Sequence, residues 1–145
     1  MARVTGIGGV FYKIDDPAKT MAWYREHLGV ETEEFGATFH WREKTNPRRE
    51  GLTVWSPMER GTKYFDPSTL PFMINFRVDD LDGVLARLRA AGAWVDDKID
   101  EYDYGRFGWA LDPDGVRIEL WEPPQPKRPR PRAKRSRRPR SGRRR

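Results

Sequence analysis

Trp109-Ala110-Leu111-Asp112-Pro113-Asp114-Gly115-Val116-Arg117-Ile118-Glu119-Leu120-Trp121-Glu122-Pro123 reads as strand, tight turn, strand. Asp-Pro-Asp-Gly supplies the turn, because Pro presets one φ near about −65° and Gly accepts positive φ without steric penalty. Beyond the turn, Val116, Ile118 and Leu120 alternate with Arg117, Glu119 and Trp121. That alternation marks a strand with one apolar face. The other face carries a carboxylate between a guanidinium and an indole, an unusual set for a solvated surface. If that face is concave, Glu119 lies inside a cavity.

Working outward, the segment before this hairpin predicts a strand at Met73–Val78, ended by Asp79-Asp80, and a helix at Leu81–Ala91 capped by Gly92. Leu81, Val84, Leu85 and Leu88 form its apolar stripe. Ala93–Val95 and Arg106–Leu111 read as strands. The N-terminal half follows the same plan: a strand at Val4–Ile14, then a helix from about Ala18 to Leu28. Asp16 is its N-cap, Pro17 its first residue and Gly29 its C-cap. Val30–Phe35, Thr38–Arg42 and Leu52–Trp55 complete the half as strands. Pro57–Pro71 has no period and reads as a connector.

The two halves are an internal repeat. Phe11-Tyr12-Lys13-Ile14-Asp15-Asp16 matches Asn75-Phe76-Arg77-Val78-Asp79-Asp80 at an offset of 64, which also pairs Ala22 with Ala86 and Arg25 with Arg89. Each unit reads βαβββ, and one such unit cannot close its own core, so two should pair. The expected fold is α+β: modules 4–56 and 72–123 within a domain of residues 1–124, forming a cup-shaped, partly closed eight-stranded sheet.

These features resemble the vicinal oxygen chelate superfamily, which holds glyoxalase I, the extradiol dioxygenases and the fosfomycin and bleomycin resistance proteins. The resemblance is carried by Asp15-Asp16-Pro17, by Trp23-Tyr24-Arg25-Glu26-His27-Leu28-Gly29, by Val78-Asp79-Asp80-Leu81-Asp82, by Leu88–Gly92 and by the Asp-Pro-Asp-Gly hairpin. It spans residues 4–123. In metal-using members four side chains, one from the first and one from the last strand of each module, point into the cup. Matched by the offset, those positions are Gly9, Trp55, Met73 and Glu119. Only Glu119 is a good ligand for Mn, Fe, Ni or Zn. The expectation is therefore no metal site and no cofactor. His40, a lone strand histidine, reads as a partly exposed strand residue.

Within the cup, Glu119 is the candidate catalytic base or polar anchor. Trp55, Asn75, Met73, Phe11, Trp121 and Arg106 are candidate substrate contacts. Their alternative roles are structural: Glu119 paired with an arginine, Asn75 satisfying backbone, the rings in the core. Tyr102 and Tyr104 read as a lip or an exposed turn. Tyr64 and Phe65 read as packing over the cup mouth or at a dimer contact. Two function classes follow: a protein that binds a small, partly apolar molecule without a transition metal, and a metal-dependent lyase, isomerase or dioxygenase of this fold.

Composition divides the chain. Residues 127–145 hold twelve of the 28 Lys and Arg and no acid, so the rest carries 16 bases against 22 acids. The Arg/Pro-rich segment 125–145 has no Leu, Ile, Val or aromatic residue and reads as disordered. A weak nucleic-acid contact through residues 127–145 stays open, as does a homodimer. With no Cys there is no disulfide or thiolate chemistry. No apolar run suits a signal or membrane span, so a cytoplasmic protein without membrane insertion is expected.

Overall fold

The computed structural model describes residues 1–125. The basic segment, with its expected disorder and nucleic-acid contact, lies outside the described residues. The elements are β1 (Val4–Ile14), α1 (Pro17–Leu28), β2 (Ala37–Arg42), β3 (Glu50–Glu59), β4 (Phe72–Val78), α2 (Leu81–Ala90), β5 (Asp100–Tyr102), β6 (Gly105–Leu111) and β7 (Arg117–Glu122). All strands join one sheet in the order β2-β3-β1-β4-β7-β6-β5. β1 and β4 pair antiparallel at its centre, while β1–β3 and β4–β7 pair parallel. The sheet does not close into a barrel. Among the described residues no helix is long and apolar enough to cross a membrane.

Local chemistry accounts for the element ends. Asp16 accepts a hydrogen bond from the Lys19 N–H at 3.2 Å, and Asp80 accepts one from Gly83 at 3.1 Å. Both aspartates thus satisfy amides at helix N-termini. Gly29 ends α1 at φ 65°, a left-handed conformation that glycine adopts without a Cβ clash. In the hairpin turn the Asp112 carboxylate accepts from the Asp114 and Val116 N–H groups, each at 2.9 Å, and Gly115 sits at φ 81°.

Seven strands form where eight were expected. Val30–Phe35 makes no ladder; Glu33 and Gly36 form one isolated bridge. Three glutamates within Glu31–Glu34 are poor strand formers on an exposed segment. In the second module Ala93–Val95 makes no ladder and pairs with the sheet through an isolated Val95–Ala110 bridge. The chain turns at Asp96, whose carboxylate accepts from the Lys98 N–H at 3.0 Å, and rejoins β6 as β5. The expected edge strand is thus broken and resumes later than periodicity indicated.

The core has two parts, one on each sheet face. On the helix side Leu81, Val84 and Leu85 of α2 pack on Val78 and Leu120. Burying each such side chain contributes roughly 1.5–3 kcal/mol. α1 buries no residue completely and leans on β3 through Tyr24, whose ring centroid is 4.5 Å from that of Trp55. On the concave side Phe65, Met73 and Trp109 form a second buried cluster, with Phe11, Met58 and Phe107 around it. Phe65 comes from the connector, so the connector plugs part of the cup.

Candidate functional site

Strand register brings the site together. Asn75 lies beside Glu119 in the β4–β7 ladder, and Trp109 lies directly opposite Glu119 in the β6–β7 ladder. All three side chains point to the concave face. Glu119 is only 3% exposed. One of its oxygens accepts from Asn75 Nδ2 at 2.7 Å, and the other from Trp109 Nε1 at 2.8 Å and from the Tyr64 hydroxyl. Amide and indole N–H groups are donors only, so both oxygens serve as acceptors. Burial and the adjacent Glu119 charge push the Tyr64 phenol above its ordinary range, so it remains a donor.

This carboxylate forms part of the floor of a cavity of about 420 Å³. Phe11, Leu52, Val54 and Thr38 line it on the first-module side. On the second-module side Tyr102 and Tyr104 are stacked, with centroids 5.0 Å apart and an interplanar angle of 10°. Both meet Phe107 edge-on, and Phe107 stacks with Trp121 at 6.4 Å. Asp100 closes the rim and accepts from the Tyr102 hydroxyl at 3.2 Å.

Of the residues singled out from sequence, Glu119, Asn75, Phe11 and Trp121 are brought together around this cavity. Met73 shares their face but is wholly buried beneath Phe65 and does not line it. Trp55 is a correction. It points to the opposite face, where its Nε1 donates to the Tyr12 hydroxyl at 3.1 Å and its ring packs on Tyr24. The cause is register. Val10 pairs with Trp55 and Ile74 pairs with Ile118, so Val10 and Ile74 are 64 apart but their partners only 63. A one-residue slip flips a strand's faces. The true counterpart of Glu119 is Ser56, whose hydroxyl donates to the Phe35 carbonyl at 2.6 Å.

Arg106 is a second correction. It lies off the cavity, held by Asp82 at 3.1 Å and Glu101 at 3.0 Å. Its hydrogen bonds in turn hold the Asp82 carboxyl below its usual range. Tyr64, which the sequence leaves between the cup mouth and a dimer contact, bonds Glu119, and no periodicity in the connector points to that bond. Trp109 was open to detection, since its position opposite Glu119 follows from the length of the hairpin.

The residues around Glu119 do not suit a divalent cation. Its nearest polar neighbours are an amide nitrogen, an indole and a protonated phenol, while Gly9, Ser56 and Met73 offer no carboxylate or imidazole. Among the described residues no three of His, Cys, Asp and Glu come together as a possible metal site. Metal-using sites of this kind need several N or O ligands plus open positions.

Comparison with known proteins agrees with the fold. No curated protein matches the chain. A methylmalonyl-CoA epimerase structure from Mycobacterium tuberculosis is 23% identical, covering 84% of this chain and 90% of its own, with TM-score 0.53. One from Streptomyces coelicolor, in complex with 2-nitronate-propionyl-CoA, is 19% identical over 85% and 100% of the two chains, with TM-score 0.62. A Mn(II)-bound glyoxalase from Novosphingobium aromaticivorans is 18% identical over 84% of this chain and 40% of its own, with TM-score 0.56. The model of the Glyoxalase/Bleomycin resistance protein/Dioxygenase superfamily matches residues 6–120, and the chain belongs to that superfamily.

Proposed function

We propose that the cup binds a small, partly apolar molecule, with Glu119 as its polar anchor and without a transition metal. The observation that carries this reading is the buried Glu119 carboxylate, fixed by three donors on the floor of a ring-lined cavity. Rings supply apolar contact and a few polar groups supply orientation, the usual make-up of a small-molecule site. Phe11, Trp121 and Asn75 are the proposed contacts beside Glu119, and residues 1–124 the proposed functional unit. A catalytic reading rests on the same residue: a fixed carboxylate in a largely apolar pocket is placed to take a proton from a bound substrate.

The test is a ligand screen by tryptophan fluorescence, since two of the six tryptophans, Trp109 and Trp121, line the cavity. Glu119→Gln should weaken a bound ligand about 5- to 150-fold, corresponding to roughly 1–3 kcal/mol for a lost polar partner. The exposed control Glu33→Gln should leave it unchanged. Equal affinity in wild type and Glu119→Gln would remove Glu119 from the site.

A further inference from the structure

Seven of the thirteen residues lining the cavity are aromatic, two are acidic and none is Lys, Arg or His. The nearest cations stand outside the lining. Lys98 is 3.5 Å from Asp100 at the rim. Arg117 lies against the Trp109 ring, donates to the Asp66 carbonyl and is 3.8 Å from Asp96. Lys98 also stands 5.9 Å over the Trp109 ring and offsets Asp100 at the rim, so inside the lining a bound anion would meet Glu119 and the negative faces of the rings.

Hydrogen-bond capacity points the same way. Tyr64 and Trp109 direct their only polar hydrogens to Glu119, and Asn75 directs one of its two. Trp121 donates its N–H to the Tyr104 carbonyl at 2.8 Å, and Tyr102 donates its hydroxyl to Asp100. The Thr38 and Tyr104 hydroxyls and the second Asn75 N–H are the free donors of the lining, and the oxygens of Glu119, Asp100, Asn75, Thr38 and the tyrosines outnumber them as acceptors, which favours a guest that donates.

We propose that the ligand class is an organic cation: a protonated amine on an apolar or aromatic skeleton, its charge facing Glu119 and Asp100 and its body against the rings. This rests on the cup-binding reading and specifies its ligand. Cation–π attraction is strongest in desolvated, ring-lined sites, and a carboxylate held by neutral donors keeps its charge available to the guest.

Three probes that share a ring system and differ in charge test this: 1-naphthylmethylammonium, 1-naphthylmethanol and 1-naphthylacetate, titrated calorimetrically at 50 mM salt. The ammonium should bind at least about tenfold more tightly than the alcohol, and the acetate most weakly. Asp100→Asn at the rim and, separately, Glu119→Gln should each lower the ammonium-to-alcohol ratio several-fold. The rim variant keeps the test valid if the buried one unfolds. Acetate binding as tightly as ammonium, or a ratio unmoved in both variants, overturns the charge assignment but leaves the pocket. Failure of all three probes to bind overturns the cup-binding reading itself.

Discussion

Removing the Tyr64 hydroxyl isolates the contribution of the connector to the site. Tyr64→Phe keeps the ring, which meets Trp109 edge-on at 6.5 Å, and deletes one of three donors to Glu119. A hydrogen bond to a charged group contributes about 1.5–3 kcal/mol. Tyr64 is 39% exposed, so water can partly replace the phenol, and a loss of about 1–1.5 kcal/mol is expected. For a domain of this size that lowers Tm by about 3–6 °C. In a Glu119→Gln background the acceptor is neutral and the same substitution should cost under about 0.5 kcal/mol, a coupling near about 1 kcal/mol.

The pH dependence has a defined sign. The folded-state pKa of Tyr64 is raised above 10.0, so the native phenol keeps its proton while the unfolded one ionises. Its stabilising contribution is complete below pH 10.0 and is lost as pH rises toward the folded value. Urea unfolding at pH 7 and between pH 9 and 11 reads both effects. Tyr64→Phe should show a shallower alkaline decline, with the part due to Tyr12, whose pKa burial raises to about 12, retained. An identical loss in both backgrounds, with an unchanged alkaline slope, refutes the Tyr64–Glu119 bond as an energetic element.

Other substitutions separate site from scaffold. Trp55→Phe removes the bond to Tyr12 and thins the α1 contact, so urea unfolding should show a loss of about 1–2 kcal/mol while ligand affinity stays within twofold. Gly8→Ala places a methyl group on Asn75 Oδ1 and 3.2 Å from the Trp121 ring. The overpacking should cost about 1–3 kcal/mol and weaken the fluorescence-detected ligand by displacing Asn75. Phe65→Ala empties a fully buried position in the concave cluster and should cost about 3–5 kcal/mol by thermal or urea unfolding.

What the sequence made legible was whatever local chemistry determines. Asp16-Pro17, Gly29 and Asp80 mark helix ends by capping alone, and the Asp112 turn follows from its residues. The concave orientation of Glu119 and Trp121 follows from alternation within one strand. The orientation of Trp55 did not, because it was carried across an offset that shortens by one residue between modules. β5 escaped notice because Asp100-Glu101-Tyr102 has no apolar alternation; its place is set by pairing with β6. Tyr64 reaches Glu119 from 55 residues away, through a connector without periodicity. Long-range contacts from irregular chain leave little local signal, and here such a contact completes the site.

We propose that Glu119 anchors a ligand in a cup that holds no tight transition metal. Calorimetric titration of metal-stripped protein with Ni, Zn, Mn and Fe(II) tests it most directly. One carboxylate with neutral neighbours predicts no stoichiometric sub-micromolar site, and no difference between wild type and Glu119→Ala. Stoichiometric sub-micromolar binding that disappears in Glu119→Ala would contradict it.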